Sequence, residues 1–132
     1  MRFLSGCVVV FCLVLPLVAA ATEDKPLSST EAIKMVDKEV TVQMVVRSSK
    51  NALAQRHEIY LDSEEDFRDE KNLAVVITEE GADKFKEAGI DDPAQHFRGK
   101  TIRVTGKVIS KDDRPRIEIS DPKAIRLIEP KK

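Results

Sequence analysis

Apolar and polar residues alternate with a period of two along several stretches of the chain. Val40, Val42, Met44 and Val46 alternate with Thr41, Gln43, Val45 and Arg47. Ile102, Val104, Gly106 and Val108 alternate with Arg103, Thr105, Lys107 and Ile109. Ile117 and Ile119 alternate with Arg116 and Glu118, and Ile59 and Leu61 with Glu58 and Tyr60. Side chains of a strand point to opposite faces in turn, so this spacing predicts half-buried strands over residues 40–46, 57–61, 102–109 and 115–119. Residues 73–77, Leu-Ala-Val-Val-Ile, are apolar without a break. Their length and β-branched content predict a strand covered on much of both faces.

Elsewhere the period is helical. Ser28 and Glu31 have capping-box spacing, and Ala32, Ile33, Met35 and Val36 supply about two turns after them. Thr78 is placed to cap a second helix, with Glu79 and Glu80 in its electropositive first turn. Ala82 and Phe85 face inward, and Gly89 ends the helix so that Ile90 meets Phe85. Asp92-Pro93 then starts a single turn reaching Phe97. Residues 48–55 are polar and read as a loop. Residues 62–72 read as a charged loop with Phe67 in its middle. Asp112-Asp113 reads as a turn, and an apolar segment at 124–128 precedes a short tail. Residues 38–46 are echoed at a spacing of 62 by residues 100–108, as two strands with the same task in one barrel.

Strand, strand, strand, helix, strand, strand is the plan of the OB-fold. The predicted fold is all-β, a five-stranded barrel with a helix between strands 3 and 4 and a short N-terminal helix. Such barrels bind ligands on strands 2 and 3 and on the loops joining strands 1–2 and 4–5. An open α+β sheet shares the same element order.

The first residues change the picture. Residues 1–21 hold one charge, Arg2, then an apolar run and Ala19-Ala20-Ala21. This is the pattern of a secretory signal peptide cleaved before Thr22, leaving residues 22–132 as a single domain that is secreted or periplasmic. Both cysteines, Cys7 and Cys12, fall in the removed segment. The mature chain therefore has no disulfide and no thiol chemistry. Its charge is uneven. Residues 22–92 carry 10 basic and 18 acidic side chains, whereas residues 93–132 carry 11 basic and 5 acidic. A basic C-terminal third suits a polyanion, and an acidic first part suits a cationic partner.

Candidate chemistry is sparse. Gly99-Lys100-Thr101 ends like a phosphate-binding loop, but position 94 is alanine where glycine is required. A strand also follows where a helix should offer its N–H groups. Asp62, Glu64 and Asp66 have the spacing of calcium ligands, but Phe67 replaces the turn glycine and Leu73 the final glutamate. His57 and His96, the only histidines, lie in different elements, and a zinc site would need both plus carboxylates. No serine has the nucleophile, base and orienting group that a hydrolase needs. The reading is a non-catalytic module without metal or cofactor. Arg103, Lys107 and Arg116 alternate outward as a basic stripe, and Tyr60 and Phe67 are candidate stacking platforms.

Gly99-Lys100, Val104-x-Gly106-x-Val108, Arg114-Pro115, Ile117-x-Ile119 and Asp121-Pro122 resemble the second half of OB-fold nucleic-acid-binding domains of the tRNA-anticodon-binding type. The segment from Tyr60 to Ile77 is similar to the middle strands of small secreted OB-fold proteins, and the export signal and size are similar to those of a periplasmic bacterial OB-fold family. The resemblance spans residues 36–129 and implies a barrel that binds single-stranded nucleic acid or another polyanion. On that reading the binding face uses Arg47, Lys50, Arg56 and Tyr60, with Lys111, Arg114 and Arg116 on the facing loop. The alternative is a cell-envelope module for a protein or a small, cationic ligand.

Overall fold

The structure is a computed structural model that describes residues 25–129. The signal peptide and its cleavage site lie outside the described residues. The elements are helix α1 (Ser29–Ala32), strands β1 (Glu39–Val45) and β2 (Ser48–Ala52), helical turn α2 (Leu53–Arg56), and strands β3 (Glu58–Asp62) and β4 (Ala74–Thr78). Helices α3 (Glu79–Glu87) and α4 (Pro93–Phe97) follow, then strands β5 (Thr101–Lys111), β6 (Arg114–Ile119) and β7 (Ile125–Leu127). Among the described residues no helix is long and apolar enough to cross a membrane.

The strands run in the order β1-β5-β6-β4-β3-β2, with β7 added to β5. Neighbours are antiparallel except β4 and β6. The fold is thus OB-like and all-β, with seven strands instead of five and a hydrogen-bonded path that does not close on itself. The two ends of that path, β1 and β2, are consecutive in the chain and joined by Val46 and Arg47. Val46 N–H donates to the Lys100 carbonyl at 2.9 Å, on the β5 side. Arg47 N–H donates to the Asp62 carbonyl, also at 2.9 Å, on the β3 side. One bent stretch of chain therefore serves both sides of the sheet and appears as two strands.

Strand β2 replaces the loop expected over residues 48–55. Its buried positions hold Ser49 and Ala52, and its exposed ones Lys50 and Asn51, so hydrophobic alternation is absent. Backbone pairing to β3 in register (Lys50 opposite Tyr60) makes it a strand nonetheless. The Ser49 hydroxyl is satisfied by donating to the Ala94 carbonyl at 2.6 Å and accepting from Arg98 Nε at 3.0 Å. The apolar segment at 124–128 contributes the seventh strand, pairing Ile125 with Val104.

Most other expectations hold, but α1 is a single turn where about two were expected, and His57 caps α2 at φ +61° instead of opening β3. The Ser28–Glu31 capping box forms, and the Thr78 hydroxyl accepts from Gly81 N–H at 3.1 Å. Gly89 takes φ +91°, and Ile90 N–H returns to the Phe85 carbonyl at 2.8 Å, the Schellman closure. Gly99, at φ +78°, turns the chain out of α4, and Thr101 opens β5. The echoed strands β1 and β5 are direct partners, with the equivalent residues Val42 and Val104 facing each other. Strand β4 is covered on both faces: Val75, Val76 and Ile77 are all fully buried. The core gathers Val42, Val46, Ile59, Leu61, Ile102 and Ile117, and side chains of this size each contribute about 1.5–3 kcal/mol on full burial. Phe85 of α3 meets Phe97 of α4 edge-on at 5.8 Å.

Candidate ligand-binding groove

The outward residues of β3 are Glu58, Tyr60 and Asp62, the faces alternating with buried Ile59 and Leu61. In register, Asp62 stands beside Ala74 of β4, which stands beside Arg116 of β6. The single methyl group of Ala74 leaves a low floor between two long polar side chains. The β3–β4 loop brings Phe67 and Asn72 to one side, and the β5–β6 hairpin brings Lys111 and Arg114 to the other. Together they enclose a groove of about 400 Å³.

The hairpin is built tightly. Asp112 and Asp113 both have positive φ, at 53° and 62°, which matches the strand twist in a two-residue turn. It places Lys111 directly opposite Arg114. Like charges in such a pair repel, so this arrangement does not serve the sheet's own stability. The Arg114 guanidinium lies 5.0 Å from the centre of the Phe67 ring and donates to the Phe67 carbonyl at 3.3 Å. Phe67 is 57% exposed. It is thus an aromatic surface held by cations at the groove edge, with Arg68 5.8 Å from its centre.

Arg116 is different. It is 13% exposed and donates to Glu58 Oε2 at 3.0 Å and to Glu118 Oε2 at 3.2 Å. The Tyr60 hydroxyl donates to Glu58 Oε1 at 2.7 Å. Burial raises the Glu58 carboxyl, but the Tyr60 hydrogen bond and the charges of Arg116 and Lys111 outweigh it and hold the group below its ordinary range. Burial, then the bond to Glu58, pushes the Tyr60 phenol upward, so it stays protonated. A carboxyl whose folded value is depressed stabilises the fold above its unfolded value and loses that contribution as pH falls through the folded one. We therefore expect Glu58→Gln to cost about 1–2 kcal/mol near neutral pH. In urea titrations that gap to the wild type should close below about pH 4.

Asp62 is 6% exposed. Among the described residues, the sole donor to its carboxylate is Asn72 Nδ2, at 3.0 Å from Oδ1. Asn72 Oδ1 in turn accepts from Glu64 N–H at 3.0 Å and fixes the start of the loop. Burial raises the Asp62 carboxyl, against the opposing effects of Asn72 and the Arg116 charge.

Six of the seven residues expected at the site line this groove: Lys50, Arg56, Tyr60, Lys111, Arg114 and Arg116. Arg47 is exposed at the β1–β2 joint and lies outside it. Of the outward stripe expected from Arg103, Lys107 and Arg116, only Arg116 lines the groove. Arg103 donates to Gln43 Oε1 through Nε at 3.1 Å, Lys107 faces Glu39 across the strands, and Arg116 is occupied by Glu58 and Glu118. Asp62 and Asn72 were not expected at the site. Asp62 continues the outward series Glu58, Tyr60, and that alternation was the one signal for it. Among the described residues no cluster of three metal-ligating side chains occurs. His57 Nδ1 lies 3.1 Å from Glu79, and His96 packs edge-on to Phe97.

No family model matches the sequence, and no curated protein matches it. Solved structures do resemble the fold. Asparaginyl-tRNA synthetase from Pyrococcus horikoshii superposes with a TM-score of 0.54 at 14% identity, over 80% of this chain and 23% of that one. Aspartyl-tRNA synthetase from Entamoeba histolytica gives 0.50 at 13% identity, over 83% of this chain and 22% of that one. The chain thus spans less than a quarter of the length of these synthetases. The OBody AM1L10, in a structure bound to hen egg-white lysozyme, gives 0.54 at 14% identity, over 81% of this chain and 97% of that one. At these identities the likeness establishes an OB-like fold.

Proposed function

We propose that the protein is a non-catalytic, exported module that binds single-stranded nucleic acid or another polyanion in the groove between β3 and the β5–β6 hairpin. The observation that carries the reading is the groove's composition. Lys50, Arg56, Lys111 and Arg114 come from three separate parts of the chain, are all exposed, and surround the rings of Tyr60 and Phe67. Cations that track a backbone plus rings on which bases stack are the two requirements for single-strand binding. None of these four cations forms an ion pair with the described residues, so their charge is available to phosphates. The repulsive Lys111–Arg114 pair supports the same reading, because a bound anion would relieve it. The synthetases that share the fold act with tRNA as their names state, which agrees with a nucleic-acid ligand.

In this reading the signal peptide is removed and the module works in the periplasm or outside the cell, without a cofactor. The alternative partner, a protein or a small cationic ligand of the cell envelope, has one observation in its favour, the acid at the groove floor. The four cations around that acid count against it. Fluorescence anisotropy of a labelled oligonucleotide, titrated at several salt concentrations, tests the proposal.

A further inference from the structure

A groove made only to hold phosphates has no use for a buried carboxylate. Asp62 is more than nine-tenths buried, lines the groove floor, and carries a second oxygen to which none of the described residues donates. An ionised, half-satisfied carboxylate inside the fold costs stability. It would also repel any ligand that brought only negative charge to the floor. Glu58, the other acid on this face of β3, is already engaged by Arg116 and Tyr60. Arg116 in turn is shared between Glu58 and Glu118, leaving Asp62 outside that network. The ligand that suits both rim and floor is anionic along its backbone and offers an N–H donor on a flat ring. The ring would lie near Tyr60 and Phe67 while its donor reached down over Ala74, whose short side chain leaves the space.

We propose that Asp62 is a base-reading residue, whose free carboxylate oxygen accepts a hydrogen bond from the exocyclic amino group of a nucleobase held in the groove. The inference rests on the nucleic-acid reading above and makes it more specific. Cytosine, with its N4 amino group, is favoured. Uracil presents a carbonyl oxygen at the same position and meets the carboxylate with like polarity. Asn72 holds the acid in place from the β3–β4 loop side of the groove. Its bond to Oδ1 leaves the other oxygen as the reader.

The test compares oligo(dC) and oligo(dU) of about 12 nucleotides, a length within the span of one such module. At fixed salt the wild-type protein should bind oligo(dC) about tenfold more tightly, the worth of one good charge-assisted hydrogen bond. Asp62→Asn keeps an oxygen for Asn72 and turns an amide N–H toward the ligand. It should lose that preference or reverse it. The same variant should melt higher, by about 2–5 °C near neutral pH, because it removes a buried charge. Equal wild-type affinity for the two oligonucleotides would overturn the inference and leave the groove reading intact. So would an Asp62→Asn variant that weakens both to the same degree. Wild-type protein that binds neither oligonucleotide overturns both.

Discussion

Replacing Lys50, Arg56, Lys111 and Arg114 together with alanine should weaken binding of single-stranded DNA by about 100- to 1,000-fold at 0.1 M salt. The estimate follows from counterion release. Each cation that neutralises a phosphate frees condensed ions, and for single strands the slope of log affinity against log salt is about −0.7 per contact. Four lost contacts should therefore flatten that slope by about 3. Fold stability should hardly move. All four side chains are exposed and none is ion-paired to the described residues. Exposed sites of this kind usually change stability by under about 0.5 kcal/mol each. Removing the repulsion between Lys111 and Arg114 offsets part of the stacking lost over Phe67. Thermal melts by circular dichroism, run beside the binding titrations, separate the two effects. A matched control replaces Lys84 and Lys86 on α3, away from the groove, and should leave affinity within about twofold.

The largest effect on the fold is expected at Gly106. This residue faces Val40 in the β1–β5 ladder, just before β5 passes on to pair with β6 at Val108. A Cβ placed there would sit 2.6 Å from Cγ2 of Ile117. That methyl group has little room to retreat, because Ile117 is β-branched and fully buried. The absence of a side chain at 106 is what lets the two halves of the sheet fold over each other at this point. Gly106→Ala should cost about 2 kcal/mol by overpacking, and Gly106→Val about 3 kcal/mol or more. For a domain near 100 residues, a loss of 3 kcal/mol lowers the melting midpoint by about 12–24 °C. Pairing Gly106→Ala with Ile117→Leu, which removes the clashing Cγ2 branch at similar volume, should recover part of the loss if the clash is its cause.

Much of this architecture is legible in the alternation itself. Residues 40–46 and 102–108 bury Val, Met and Ile on one face, and the structure pairs those two strands. Helix α3 announces itself through Thr78, Glu79 and Gly89, each serving a local backbone need at its own position. Strand β2 leaves no such trace. It hydrogen-bonds through its backbone, and its inward residues are Ser49 and Ala52, so no hydrophobic period marks it. The bend at Val46 and Arg47 is hidden for a related reason. It depends on which strand each residue bonds to, a choice between Lys100 and Asp62 made by tertiary structure.

The groove divides in the same way. Its exposed cations follow from outward positions on strands and from the Asp112-Asp113 turn. The engagement of Arg116 does not, because its partner Glu58 lies far away in sequence and meets it only across the parallel β4–β6 step. The Asp62–Asn72 bond is equally silent. Its two residues sit at opposite ends of an acidic loop whose composition suggests solvent. For Arg103, Lys107 and Arg116, alternation fixes the outward face but not the neighbours. Gln43, Glu39 and Glu58 are supplied by other strands.

The central claim is that the groove between β3 and the β5–β6 hairpin holds a phosphate-bearing single strand. Fluorescence anisotropy with a labelled oligonucleotide of mixed sequence, repeated from about 20 to 300 mM salt, tests it most directly. We predict saturable binding whose affinity falls linearly on a log–log plot, with a slope near −3 from four phosphate contacts. No binding at the lowest salt, or binding whose strength does not change as salt is added, would contradict it.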